Sequence, residues 1–194
     1  MNRRDLEELH YITAISNVPS IMSLGVLSHN QAKNLSHDSG AMEEIQNRRK
    51  NNPRGLLLHD YVNLYIYARN PMLYVLRSNH ERLCVLRIST EILDMDGVVI
   101  TDSNASSDYV RFASAPGGLV IVDKEMTFAE YWTHEDPIET YRRKAAKCAE
   151  VLVPNRLAPN YIQGAFVSCQ EAKAAFEITG AKIPITQNPS LFFR

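Results

Sequence analysis

Between Leu56 and Asp123 the chain carries five short apolar segments, LLLHDYVNLYIYA, MLYVLRS, RLCVLRIS, GVVIT and GLVIVD, separated by turn or polar residues. Each reads as a strand, because β-branched and aromatic residues dominate and the runs are short. LHYITAI (9–15) reads as a buried strand ahead of them, and AEVLVP (149–154), YIQGAFVSC (161–169) and KIPIT (182–186) as strands behind them. Helices are expected after Asn17, where Pro19 falls in the first turn and Gly25 at the end, and over AMEEIQNRRK (41–50), with acids early and bases late. Residues 125–149, interrupted at Pro137, and QEAKAAFEITG (170–180) also read as helical, and SNASSDYVRFASAPGG (103–118) as a loop. The order is mixed rather than strictly alternating βαβ, so it predicts an α+β fold with a mixed or antiparallel sheet and flanking helices.

Nothing in the chain divides it: there is no repeat, no low-complexity tract and no linker, which predicts one domain over residues 1–194. With 45% apolar and 22% charged residues among 194, disorder and cystine-framework classes are excluded. The three cysteines, Cys84, Cys148 and Cys169, are far apart and form no CxxC or zinc spacing, which fits a reducing compartment. No stretch approaches 18 apolar residues, and acids stand where a signal peptide needs an apolar run. A cytoplasmic protein with no membrane association and no bound metal is expected.

The net charge of −1 hides an uneven distribution. Residues 91–140 hold eleven acids against Arg111 and Lys124 alone. Basic residues gather instead in NRRKNNPRG (47–55), ARNPMLYVLRS (68–78), ERLCVLR (81–87) and YRRKAAK (141–147). Brought to one face, these stretches could hold a phosphate backbone or a dinucleotide; scattered, they are ordinary solvated charges. Neither GxGxxG nor GxxxxGK[ST] occurs, so a dinucleotide would have to bind by another geometry.

Five strings, taken in order, are more specific: LHYITAISNVPSIMSLGVLSHNQA (9–32), IQNRRK (45–50), GLLLHDYVNLYIYARNPMLYVL (55–76), SDYVRF (107–112) and RRKAAKCAEVLVP (142–154). Together they resemble the DarT family of DNA ADP-ribosyltransferases. The resemblance implies the ADP-ribosyltransferase fold, a split β core with NAD held in a cleft as co-substrate. It implies transfer of ADP-ribose to a base of single-stranded DNA, thymine before guanine, with release of nicotinamide. It also implies a toxin paired with a macrodomain antitoxin of the DarG kind. Glu150 would be the catalytic carboxylate and Arg49 the essential arginine, with Arg49 also meeting NAD. Residues 32–51 would close over NAD, and residues 109–150 would meet the DNA.

The residues can be tested against that chemistry. Cleaving the nicotinamide–ribose bond creates an oxocarbenium-like carbon, which needs a carboxylate nearby. On the predicted strand Ala149, Val151 and Val153 share one face, leaving Glu150 and Leu152 on the other. The alternative is that Glu150 ends a helix and pairs with Lys147 or Arg143. A guanidinium stays protonated, so phosphate binding or stabilisation of an anionic base suits Arg49 better than proton abstraction; a solvated helix-end charge is the competing reading. Many family members read Tyr-His-Ile-Thr-His where this chain reads His10-Tyr11-Ile12-Thr13-Ala14. One position of slip on a strand reverses the face, so either Tyr11 substitutes for the usual histidine or His10 reaches the ligand through a bulge. Tyr11, Thr13 and His10 are therefore all NAD candidates, followed in the matched stretch by Ser20, Leu27 and Asn30. Single-stranded DNA calls for aromatic and basic side chains: Arg69 and Tyr74 supply them beside Arg77, and Tyr109 and Arg111 open the substrate loop. Competing classes are a transferase of the same fold acting on RNA or protein, a metal-dependent nuclease built on Asp94, Asp96 and Asp102, and an inactive binding module.

Overall fold

The computed structural model describes residues 1–33 and 57–194. The expected helix over 41–50 and the loop before it lie outside these residues, as does Arg49.

Among the described residues ten strands form the frame: β1 Leu9–Ala14, β2 Val26–Leu27, β3 Tyr61–Tyr65, β4 Leu83–Ile88, β5 Val99–Thr101, β6 Phe112–Ser114, β7 Glu150–Pro154, β8 Arg156–Leu157, β9 Ile162–Val167 and β10 Ile185–Gln187. Eight of them make one sheet in the order β10-β9-β4-β1-β3-β7-β5-β6, and β2 pairs with β8 separately. Neighbours run antiparallel except β9 and β10, which are parallel. This is the expected α+β architecture with a mixed sheet.

The sheet is nearly split at its centre. β1 matches β4 over six residue pairs and β3 matches β7 over five, yet β1 and β3 meet only at His10 and Tyr65. Beyond that pair the ladder opens, with Thr13 on one lip and Asn63 on the other. The main core fills one face of the sheet with Leu9, Val62, Leu64, Cys84, Leu86, Ile100, Val151, Val153 and Ala165. Leu152, Val99, Tyr61, Leu58 and Ala105 pack on the opposite face.

Six helices flank these strands among the described residues: α1 Val18–Leu24, α2 His29–Ala32, α3 Pro71–Val75, α4 Lys124–Phe128, α5 Pro137–Ala146 and α6 Gln170–Ile178. α1 stops at Gly25, whose φ of +86° suits glycine and whose hydrogen faces the carbonyl of Leu157; a Cβ there would lie 2.3 Å from that oxygen. Pro137 starts α5 rather than interrupting a helix, because Asp136 caps it by accepting from the Ile138 N–H at 2.9 Å.

Three segments depart from their sequence reading. MLYVLRS forms α3 and a 3-10 stretch, not a strand. Its composition suits a strand, but Asn70 accepts from the Leu73 N–H at 3.0 Å and Pro71 occupies the first helical turn, and that start signal prevails. GLVIVD is a 3-10 turn over Gly117–Ile121 that buries Leu119 without a ladder. The loop over 103–118 contains β6, which closes the sheet edge against β5.

Candidate active site

Glu150 opens β7 opposite Tyr65 of β3, on the face away from Val151 and Val153. Its side chain is buried, at 1% exposure. One carboxylate oxygen, Oε2, accepts from Asn63 Nδ2 at 3.0 Å and from the Ala105 N–H at 3.0 Å. These donors solvate the charge in place of water and fix the carboxylate's direction. The backbone is held as well: the Glu150 N–H donates to Thr101 Oγ1 at 3.1 Å, and the Thr101 hydroxyl donates to the Ser103 carbonyl at 2.7 Å. β7, β3 and the loop after β5 thus clamp one carboxylate from three sides.

The ion-pair alternative for Glu150 fails on the lysine. Lys147 is fully buried and its ammonium donates to the carbonyls of Thr127 and Ala129 and lies 4.7 Å from the Tyr67 ring centre. Burial, aided by the positive charge of Arg69, lowers its pKa to about 8. Arg143 lies toward Glu139 on its own helix, at 3.9 Å.

Tyr11, Thr13, Ser20 and Leu27 come together. With Asn17, Ile21, Leu24, Gly25, Val26 and Ala32 they line a niche of ≈ 70 Å³ between β1, α1 and β2, enough for a fragment of a dinucleotide and not the whole. Asn17, which the sequence marks only as the residue before a helix, donates from Nδ2 to Thr13 Oγ1 at 3.2 Å and so orients that hydroxyl.

His10 goes elsewhere. Its Nε2 lies 3.3 Å from Glu8 Oε1, and its ring stacks on Phe166 at 6.5 Å. Glu8 also accepts from Arg87 Nε at 2.7 Å; burial works to raise its pKa, but His10 and Arg87 outweigh burial and hold it below the usual carboxylate value. No bulge carries His10 to the niche, because β1 runs in unbroken register against β4 from Leu9 to Ala14. His10 instead lines a second cavity of ≈ 510 Å³ with Asp5, Glu7, Glu8, Tyr67 and Arg69. Its wall mixes acids with bases, Asp5 paired with Lys124 at 2.6 Å and Glu8 with Arg87 at 2.7 Å, so volume alone does not make it the NAD site.

Asn30 spends its amide on Asp60 Oδ1, at 2.6 Å, tying α2 to the turn before β3. Arg69 donates to the Ser190 carbonyl at 3.0 Å and lies 4.2 Å over the Phe193 ring. Tyr74 sits among Trp132 and Phe193. Tyr109 is 88% exposed on the loop before β6, and Arg111, nearby, is held by Asp102 Oδ2 at 2.6 Å and the Ile121 carbonyl at 3.1 Å. Asn63 was missed in the sequence; its one signal is a lone amide inside an apolar strand. Among the described residues no three His, Cys, Asp or Glu side chains gather as a metal site, and no helix is long and apolar enough to cross a membrane.

A mixed sheet split at its centre, with a buried carboxylate at the start of one strand and a polar niche beside another, defines the ADP-ribosyltransferase fold. Solved structures match it closely. The chain superimposes on Thermosipho africanus DarTG in complex with ADP-ribose with a TM-score of 0.84 and 30% identity, over 96% of this chain and 51% of that one. It superimposes on Thermus sp. 2.9 DarT in complex with ADP-ribosylated ssDNA with a TM-score of 0.81 and 26% identity, over 98% of both chains. Residues 10–193 match the family described as "ssDNA thymidine ADP-ribosyltransferase, DarT", and the chain belongs to that family. In sequence it is 33% identical to a DNA ADP-ribosyl transferase-DNA ADP-ribosyl glycohydrolase fusion protein of Thermosipho africanus over 96% of its length, and it spans about half (49%) of that protein. It is 33% identical to a DNA ADP-ribosyl transferase of Thermus sp. over 72% of each chain.

Proposed function

We propose that this chain transfers ADP-ribose from NAD to thymine in single-stranded DNA, and that it acts in the cytoplasm as a toxin opposed by a macrodomain antitoxin. The observation that carries the reading is the clamped carboxylate of Glu150 in a chain of this family. In the reaction the bond between nicotinamide and the ribose C1′ breaks, nicotinamide leaves with the bonding pair, and a ring nitrogen of the base forms the new bond and loses its proton. Glu150 would stabilise the positive charge that develops at C1′, its orientation set by Asn63 and Ala105. Tyr11, Thr13, Ser20 and Leu27 would hold part of NAD. Arg49 would offset the negative charge on the pyrophosphate or on the deprotonating base, consistent with a guanidinium that keeps its proton. Thymine attacks through an edge that pairing occupies in a duplex, which accounts for a single-stranded substrate.

The relatives support the substrates: one solved neighbour holds ADP-ribosylated ssDNA and another, Thermus sp. 2.9 DarT at a TM-score of 0.75, holds NAD+. The Thermosipho fusion, which joins a transferase to a DNA ADP-ribosyl glycohydrolase, supports an antitoxin that removes the mark. The test is incubation with NAD and EDTA against single-stranded DNA, duplex DNA and RNA, with products weighed by mass spectrometry. One ADP-ribose on the single strand alone is the expected result. Nicotinamide release with no modified oligonucleotide would point to a protein target, and modification that requires a divalent metal would overturn the proposed chemistry.

A further inference from the structure

Three aromatic rings from distant parts of the chain meet at the surface. Tyr74 of α3 stands edge-on to Trp132, with centroids 5.6 Å apart, and to Phe193, at 5.1 Å; Trp132 and Phe193 close the triangle at 5.7 Å. Two guanidinium groups stack on the cluster: Arg77 lies 3.9 Å from the centre of the Tyr74 ring and Arg69 lies 4.2 Å from that of Phe193. Beneath them Phe193 packs on Leu73, Leu83, Val85, Leu191 and Phe192, so the rings are anchored from below. Tyr74 nevertheless remains 40% exposed.

The cluster is built rather than incidental. The Asn70 cap fixes the start of α3, and Arg69 binds the carbonyls of Ser190 and Glu130, joining the C-terminus to the segment that carries Trp132. Phe193 holds a φ of +63°, a left-handed conformation that a bulky residue adopts only when its surroundings require it. Of the acids in the Trp132 segment, Asp136 caps α5 and Glu139 pairs with Arg142 at 2.6 Å, while Glu130 and Glu135 flank Trp132 in sequence.

One exposed ring, Tyr74, set against two half-buried ones, Trp132 and Phe193, with guanidinium groups stacked on the cluster, suits one partner chemistry in particular. Unpaired bases stack on such rings whatever their sequence, and the cations neutralise the phosphates between them. We propose that Tyr74, Trp132 and Phe193, with Arg69 and Arg77, form a platform that stacks unpaired bases of the DNA strand away from the base being modified. This rests on the reading of the chain as a transferase on single-stranded DNA. Its position fits. Tyr65 lies opposite Glu150, and Arg69 follows four residues later, at most about 14 Å along an extended chain, a span of about four stacked nucleotides.

The chain's one tryptophan is Trp132, so its intrinsic fluorescence reads the platform directly. The experiment titrates the full chain with oligothymidylate of three and of ten nucleotides and with a ten-base-pair duplex, and measures KM for ADP-ribosylation of the two single strands. The decamer is expected to change the Trp132 emission to saturation, the duplex to leave it unchanged, and the decamer to have a lower KM than the trimer. Tyr74→Ala and, separately, Arg77→Ala should raise the decamer KM by roughly fivefold or more and erase its advantage over the trimer. Arg77 is an exposed surface side chain, so its variant answers even if Tyr74→Ala fails to fold. Modification of the decamer with no emission change and no effect of Arg77→Ala would overturn the platform while leaving the transferase reading intact. An emission change that follows protein concentration instead of DNA would also overturn it, in favour of contact between copies. Absence of any modification of either strand would refute the parent reading, and the platform with it.

Discussion

Lys147 is a buried cation just ahead of β7, and its replacement by methionine gives a sharp test of the structure. The side chain is fully buried and rests on two backbone carbonyls, with burial lowering its pKa from 10.5 to about 8. Below pH 8 both folded and unfolded chains carry the proton, and the folded state bears the cost of a buried charge. Between pH 8 and 10.5 the folded chain has released the proton and the unfolded chain still holds it, so stability rises with pH across that window. Integrated from pH 7 to pH 10, these two pKa values give a gain of about 2 to 3 kcal/mol from this one group. Lys147→Met removes the titration and keeps most of the volume. Other groups titrating in this range are common to both proteins, so the difference between their stabilities isolates Lys147. The assay is urea denaturation of wild type and variant at pH 7, 8, 9 and 10. Wild type should gain about 2 to 3 kcal/mol on the variant by pH 10. Parallel profiles, within about 0.5 kcal/mol throughout, would refute the burial of a conditionally charged lysine at this position.

Two further predictions concern the site. Asn63→Ala removes a donor to the buried Glu150 Oε2, and because the bond is to a charged group, kcat for transfer should fall by about tenfold or more and the thermal midpoint by a few degrees, as read from nicotinamide release below the midpoint and a melting curve. Tyr11→Ala should raise KM for NAD, whereas His10→Ala should lower the melting temperature and leave KM for NAD near wild type, since His10 is committed to Glu8 and Phe166. The reverse pattern would place the wrong residue of the pair in the niche.

Much of the fold was legible because it depends on local signals. Strand parity around Glu150 follows from AEVLVP alone, and Gly25 marked the end of α1 through a backbone angle that glycine adopts without strain. The exceptions are equally local in cause. α3 was hidden because the composition of its residues speaks for a strand while two residues, Asn70 and Pro71, decide for a helix. The turn at Gly117–Ile121 buries apolar residues without pairing, and apolar runs alone do not tell the two apart. At the site, what was hidden depends on register. Asn63 reaches Glu150 because β3 places it opposite Leu152, and Asn17 reaches Thr13 because the 3-10 turn Ile15–Asn17 at the end of β1 brings residues four apart together. The choice between His10 and Tyr11 needed only the parity of β1, and a chain read alone does not say which face is which.

The proposed transfer stands on the carboxylate of Glu150, and its most direct test is the isosteric variant Glu150→Gln. Alanine would strip the acceptor from both Asn63 and the Ala105 N–H, whereas the glutamine amide oxygen can still accept from them and isolates the charge. Wild type and variant are incubated with NAD and a thymine-containing single strand, products are weighed, and NAD affinity is measured in parallel by calorimetry. The proposed role of Glu150 predicts a full gain of one ADP-ribose for wild type, none measurable for the variant, and NAD binding retained by both. Transfer by Glu150→Gln at a rate near wild type would contradict it, and would mean that the charge developing at the ribose carbon is met by another group.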